Sequence, residues 1–151
     1  MKLKKLTPTQ EKQLLLAAAD MLKNSYSPYS KFPVAAAVLC KNGNIYGGTN
    51  IENASFGATI CAERSAIFSA VAHGERDFAA LAIVFPQKGL GKLGTPCGLC
   101  RQVMAEFFAP EIPIITADVS SGKPQGITRR KLKDFYPYPF SPEALKKSSK
   151  K

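Results

Sequence analysis

The sequence predicts an α/β fold: a three-layer α/β/α sandwich built on a five-stranded mixed sheet. Two observations predict it. Two strand-like segments joined by a tight turn come first, followed by helix, strand, helix, strand. The strand at the centre of that order, Leu81-Ala82-Ile83-Val84-Phe85, is wholly apolar, as a strand covered on both faces must be. The length of 151 residues suits a single domain with a real core, expected over residues 7–145.

The elements follow in chain order. Thr7-Pro8-Thr9-Gln10 reads as a helix start, with Thr7 as cap, Pro8 in the first turn and Gln10 completing a capping box. The run from Leu14 to Leu22 continues that helix to about Ser25, and Pro28 prevents its going further. Val34–Cys40 and Ile45–Gly48 flank Lys41-Asn42-Gly43-Asn44, a hairpin turn. A second helix is expected from Cys61 to His73 with Gly74 as its stop, and a third from Cys97 to Phe108 before Pro110. Strands are expected at Ile112–Ala117 and, more briefly, at Gln125–Thr128.

Composition narrows the function classes. Hydrophobic residues are 45% and charged residues 21%, the balance of a soluble globular protein. No apolar run is long enough to span a membrane, and no apolar signal core follows the basic Met1–Leu6 segment. A cytoplasmic protein without membrane partners is expected. The net charge is +10, and its location decides what it means. Three lysines in residues 1–6, with eight Lys and Arg against two acids in residues 129–151, account for +9 of it. The body between them is nearly neutral, so the basic ends 1–6 and 146–151 read as solvated tails, with weak nucleic-acid binding the lesser alternative.

Of the four cysteines, Cys40 lies inside an apolar strand and reads as a small buried hydrophobe. The other three fall in Cys61-Ala62-Glu63-Arg64 and Pro96-Cys97-Gly98-Leu99-Cys100, each at a helix start. Free backbone N–H groups and the helix dipole favour thiolate there, the form that binds metal. Cys97 and Cys100 face the same way on one turn, and Cys61 starts a helix at the same end of the sheet. Three thiolates can then converge on one Zn²⁺. Three protein ligands leave the fourth position to water, as in a catalytic site. His73, the only histidine, sits about twelve helical residues from Cys61, too far to ligate.

Glu63, two residues past Cys61, points off the ligand direction and is the candidate base. A plain helix-start charge is the other use of such a residue, and the three neighbouring cysteines decide against it. Arg64 is a candidate donor to thiolate sulfur, offsetting the net negative charge of a three-thiolate zinc site; a solvated helix arginine is the alternative.

The sequence resembles the homotetrameric cytidine deaminases that act on free nucleosides. The matching text is Tyr26-Ser27-Pro28-Tyr29-Ser30-Lys31-Phe32-Pro33-Val34, Asn50-Ile51-Glu52-Asn53-Ala54-Ser55, Cys61-Ala62-Glu63-Arg64 and Pro96-Cys97-Gly98-Leu99-Cys100-Arg101-Gln102. The resemblance runs from about residue 7 to residue 145. It implies one zinc ion per subunit on Cys61, Cys97 and Cys100, with zinc-bound hydroxide attacking C4 of the base and Glu63 as proton shuttle. It further implies that Phe32 stacks on the pyrimidine, that Asn50 and Glu52 hold the ribose, and that the backbone at Ala62 reads the base. Phe140 would help close a neighbouring subunit's site in the homotetramer. The implied reaction is hydrolytic deamination of cytidine and deoxycytidine in pyrimidine salvage.

Glu52, which when ionised only accepts hydrogen bonds, suits a free 3′-hydroxyl and repels a 3′-phosphate. That favours a nucleoside over a polynucleotide. Two residues depart from the family's habit: Ala35 stands where Gly is usual, and Phe56 where Tyr is common. Phe56 lacks the hydroxyl that, by the resemblance, a Tyr there would offer the sugar 5′-hydroxyl. The alternatives are a deaminase of a nucleoside antibiotic or of cytosine in RNA or DNA, a zinc-stabilised binding module, and a thiol–disulfide exchange protein built on Cys97 and Cys100.

Overall fold

The computed structural model describes residues 6–142. The basic ends expected at 1–6 and 146–151 fall outside them, apart from Leu6, as does the expected end of the core at 143–145. Helix α1 spans Pro8–Met21 and opens on the expected capping box. Thr7 Oγ1 accepts from the Gln10 N–H at 3.2 Å, and Gln10 Oε1 accepts from the Thr7 N–H at 3.1 Å. A 3₁₀ turn, Leu22–Asn24, finishes the segment at Ser25.

Strands β1 (Ala35–Cys40) and β2 (Ile45–Thr49) form the hairpin, and Gly43 takes the left-handed conformation its turn requires. Helix α2 (Ala62–Ala72) ends on His73, with Gly74 at positive φ just beyond. Strand β3 covers Phe78–Phe85, α3 Leu90–Leu93, α4 Gly98–Phe107, β4 Pro113–Asp118, β5 Gln125–Lys131 and α5 Leu132–Phe135. The sheet order is β2-β1-β3-β4-β5. Only β3 and β4 run parallel.

The period of two in the strands sorts side chains to two cores. Ala36, Val38 and Cys40 of β1 join Leu81, Ile83 and Phe85 of β3 beneath α2 and α4. Ala35, Ala37 and Leu39 join Ala80, Ala82 and Val84 beneath Leu14, Leu15 and Ala18 of α1. The α1 face of the sheet is lined largely with alanine, so the leucines of α1 settle close against it. Ala35 is fully buried there, its methyl part of that face.

The structure differs from the sequence reading at some boundaries. Cys61 and Cys97 cap their helices rather than lying within them. Strand β3 starts at Phe78, three residues early, because Phe78 is packed at the bottom of the core against Phe107 and Phe108. Strand β5 runs on to Lys131 despite its charges, since it is an edge strand whose ladder needs only β4. Helices α3 and α5 are single turns with no periodic signal in their four residues.

Gly48 sets how near α2 lies to the sheet. A Cβ there would lie 2.7 Å from the Ala62 carbonyl oxygen and 2.8 Å from the Ser65 carbonyl carbon. Gly48→Ala therefore forces α2, with Cys61 at its head, off β2. Thermal unfolding should show Tm lowered by roughly 3–10 °C, the cost of overpacking a rigid backbone contact.

Candidate active site

Helices α2 and α4 both begin at the end of the sheet where β3 finishes, and this brings the three predicted cysteines together. Their sulfur atoms all lie within 4.8 Å of one another. Cys61 Sγ is 3.7 Å from Cys97 Sγ, which is 3.4 Å from Cys100 Sγ. Sulfurs on a tetrahedral zinc, each bonded at ~2.3 Å, sit about 3.8 Å apart, so the donor set fits that ion in element, spacing and number. All four cysteines are free thiols. Among the described residues, no other group of three or more metal-ligating side chains converges in this way.

Burial is graded across the cluster: Cys100 buried, Cys61 half-buried, Cys97 exposed. Without a cation the sulfurs share protons. The hydrogen bond from Cys100 outweighs burial and, with Arg64, draws the Cys61 thiol down to about 5. The same bond and burial push the Cys100 thiol up. Arg64 Nη2 reaches Cys61 Sγ at 3.7 Å and the Thr59 carbonyl at 3.4 Å. Burial lowers the Arg64 pKa, but its bonds to Cys61 and Cys100 more than offset that. The guanidinium thus lies within hydrogen-bond reach of a cysteine sulfur.

Glu63 is 5% exposed, on the first turn of α2 between two cysteine-bearing helix starts. Burial and the nearby Cys61 charge raise its carboxyl to about 7. Ala62 beside it is fully buried, and first-turn N–H groups of an α-helix lack intrahelical acceptors.

The remaining predicted residues meet in the loops above the sheet. Asn50 Nδ2 donates to the Phe32 carbonyl at 2.8 Å, while its Oδ1 accepts from Val34 N at 2.9 Å and Ser25 Oγ at 2.5 Å. Glu52 Oε2 accepts from the Tyr29 and Ser30 N–H groups at 2.8 and 3.1 Å. The Ser30 hydroxyl and these amides hold its carboxyl below the usual range. Together they brace a turn in which Lys31 takes a left-handed conformation, φ 56°. Phe32 leaves that turn and packs against Phe85, ring centroids 6.3 Å apart. Sequence reasoning named Asn50 and Glu52 but missed this bracing, because a loop carries no periodicity to reveal it.

Phe140 is 61% exposed, and its carbonyl accepts from Gln102 Nε2 of α4 at 2.8 Å. Phe56, also exposed, meets Tyr29 edge-on at 5.8 Å. His73 stays at the far end of α2, its Nδ1 2.8 Å from the Ser69 carbonyl. Arg101, not singled out from sequence, ties down the approach to Cys97. Its Nε donates to the Pro96 carbonyl at 2.8 Å and its Nη2 to Thr95 Oγ1 at 3.4 Å.

The raised Glu63 pKa has a measurable consequence in metal-free protein. The folded state favours the protonated acid, so this group costs nothing below its ordinary pKa of 4.5. Stability is lost as pH rises through about 7. Metal-free Glu63→Gln, which cannot ionise, should match the parent protein near pH 4.5 and exceed it at pH 8.5 by on the order of 3 kcal/mol. Urea unfolding at the two pH values measures the difference.

Comparison with known proteins agrees with this geometry. The family model for the cytidine and deoxycytidylate deaminase zinc-binding region matches residues 8–116. A cytidine deaminase of Sporosarcina psychrophila is 43% identical over 133 residues, covering 88% of this chain and 93% of its own length. One of Halalkalibacterium halodurans is 40% identical over 136 residues, covering 89% and 98%. The crystal structure of cytidine deaminase from Burkholderia pseudomallei superposes with a TM-score of 0.76 at 39% identity, covering 85% of this chain and 97% of that one. Sulfur cluster, sheet order and sequence thus agree, and the chain belongs to the cytidine and deoxycytidylate deaminase family of enzymes.

Proposed function

We propose that the chain hydrolyses free cytidine and deoxycytidine to uridine and deoxyuridine, releasing ammonia, as a cytoplasmic step of pyrimidine salvage. The observation that carries this reading is a buried carboxylate, Glu63, at the mouth of a three-sulfur cluster spaced for zinc. Cys61, Cys97 and Cys100 would hold one zinc ion. When bound, the ion supplies a water acidic enough to attack carbon at neutral pH.

Glu63 moves the protons. It accepts one as the attacking water bonds to the ring carbon and delivers it to the adjacent ring nitrogen. It then takes the proton of the new hydroxyl and passes it to the departing amino group, which leaves as ammonia. Buried on the first turn of α2 beside the cysteine cluster, this carboxyl is placed to exchange protons with a water held there. Arg64 keeps Cys61 in the thiolate form through its 3.7 Å contact. Phe32 stacks on the pyrimidine, and the backbone at Ala62 reads its edge. Asn50 keeps one amide hydrogen for the sugar beyond its three protein bonds, and Glu52 accepts from the 3′-hydroxyl.

The reading includes a homotetramer in which Phe140, exposed in the single chain, covers a neighbouring subunit's site. Light scattering tests it, and a monomer would remove Phe140 from the site.

The test of the reaction is ultraviolet absorbance of zinc-loaded protein with cytidine, beside Glu63→Ala shown by metal analysis to retain zinc. The parent protein should convert cytidine to uridine, with kcat in the variant lower by at least about 10²-fold. No turnover of cytidine or deoxycytidine by either protein would overturn the free-nucleoside reading and turn attention to nucleoside antibiotics and oligonucleotides.

A further inference from the structure

We infer that Asp118 and Gly94 are positioning residues for the pyrimidine ring: through the crossover joining β3 to α4 they fix Phe85, and with it Phe32. This rests on the reading of Phe32 as the residue that stacks on the substrate's base.

Asp118 ends β4 and is only 3% exposed, a buried carboxylate outside the sulfur cluster. Its Oδ2 accepts from the Gly89 N–H at 3.0 Å. Its Oδ1 accepts from Ser120 Oγ and from Gln125 Nε2, each at 2.9 Å. It therefore joins the crossover to the β4–β5 turn. Two residues earlier on the same strand, the Thr116 hydroxyl donates to the Gly91 carbonyl. Gly91 is seated so closely that a Cβ would lie 2.6 Å from the Gly126 carbonyl oxygen and 2.7 Å from Asp118 N. The single turn α3 is thus fastened to the end of the sheet.

The far end of that turn reaches the site. Gly94 sits against the far edge atoms of the Phe85 ring and under the Leu90 carbonyl, leaving no room for a Cβ. Phe85 in turn backs Phe32, at 6.3 Å between centroids. The Asn50 bond holds the Phe32 carbonyl and so fixes backbone, not ring. The ring's tilt depends on Phe85, and Phe85 depends on where Gly94 is held. Cys97 has a separate tether, because Arg101 grips Thr95 and Pro96 just before it. Loosening the Asp118 end should therefore disturb the base-stacking ring and spare the metal ligands.

The experiment compares zinc-loaded Asp118→Ala, Gly94→Ala and Asp118→Asn with the parent protein. Gly94 has φ −65°, so alanine adds no left-handed strain; its Cβ presses on the Phe85 ring and lies 2.7 Å from the Leu90 carbonyl oxygen, so it moves the end of α3 as well as the ring. In Asp118→Asn the side-chain carbonyl remains an acceptor for Gly89, while Ser120 and a turned Gln125 amide can accept from the new NH₂. Asp118→Ala and Gly94→Ala should raise KM for cytidine about tenfold, the loss expected when aromatic stacking is spoiled. Their kcat should stay within about twofold, and Asp118→Asn should restore KM. The sulfur-to-metal band of cobalt-substituted protein should not move.

A second readout does not depend on turnover: fluorine NMR of protein labelled with 4-fluorophenylalanine, with lines assigned by Phe32→Leu and Phe85→Leu. The Phe32 and Phe85 lines should shift in both alanine variants and stay in place in Asp118→Asn. Lower Tm with KM and both lines unchanged would overturn the inference, as would a shifted cobalt band. If the parent protein leaves cytidine untouched, the proposed function fails, and the fluorine lines alone decide this inference.

Discussion

The crowding of three sulfurs at two helix starts is the constraint on which the rest of the structure depends. Sγ atoms 3.4 and 3.7 Å apart cannot all carry charge unless a cation sits among them. Without one, Cys61 takes the thiolate role and Cys100 keeps its proton. Both helices must start at the same end of the sheet, which the crossover from β3 into parallel β4 by way of α4 ensures for Cys97. For Cys61 the placement comes from Gly48, whose missing side chain lets α2 lie against β2. The sulfur cluster is therefore a product of sheet topology and one close backbone approach.

A second design feature lies in the loops. Asn50 and Glu52 bond mainly to backbone groups of other segments, and Asp118 joins the Gly89 N–H to the side chains of Ser120 and Gln125. Each replaces the ladder bonds that a loop lacks. Two of the three also stand where the substrate's sugar is proposed to bind. A residue that both braces a loop and receives a ligand presents its free lone pairs or hydrogens in a fixed direction, which lowers the ordering cost of binding.

Much of this was legible in the sequence, for identifiable reasons. The helix starts at Thr7, Cys61 and Cys97 were visible because caps and breakers are local chemistry. The convergence of Cys61, Cys97 and Cys100 followed from spacing and strand order, and the structure brings their sulfurs together. The single turns α3 and α5 were not legible, since four residues hold no period. Nor was Asp118, where a lone acid after an apolar strand looks like any turn residue. Its burial is decided by Gly89 and Gln125, 29 residues before and seven after it. The bracing role of Asn50 was hidden for the same reason, its partners lying 16 to 25 residues away.

The basic strand β5 shows how charge read from sequence changes meaning once folded. Arg129 forms an ion pair with Glu11 of α1, tying the edge strand to the helix on one face. Lys131 and Lys133 share Glu111, which precedes β4, at 2.6 and 2.7 Å. Arg130 lies over the Phe135 ring, as does Arg101 from α4. Arg129, Lys131 and Lys133 each have a carboxylate partner, so much of the run is a set of ties within the fold. Exposed pairs of this kind add little stability individually. Their value here is register: β5 is an edge strand with one neighbour, and charges matched to Glu11 and Glu111 disfavour slippage by one residue. Through Phe135, whose carbonyl accepts from Arg101 Nη1 at 3.2 Å, the same strand is joined to the helix that carries Cys97 and Cys100. The cationic edge therefore anchors the segment leading to Phe140.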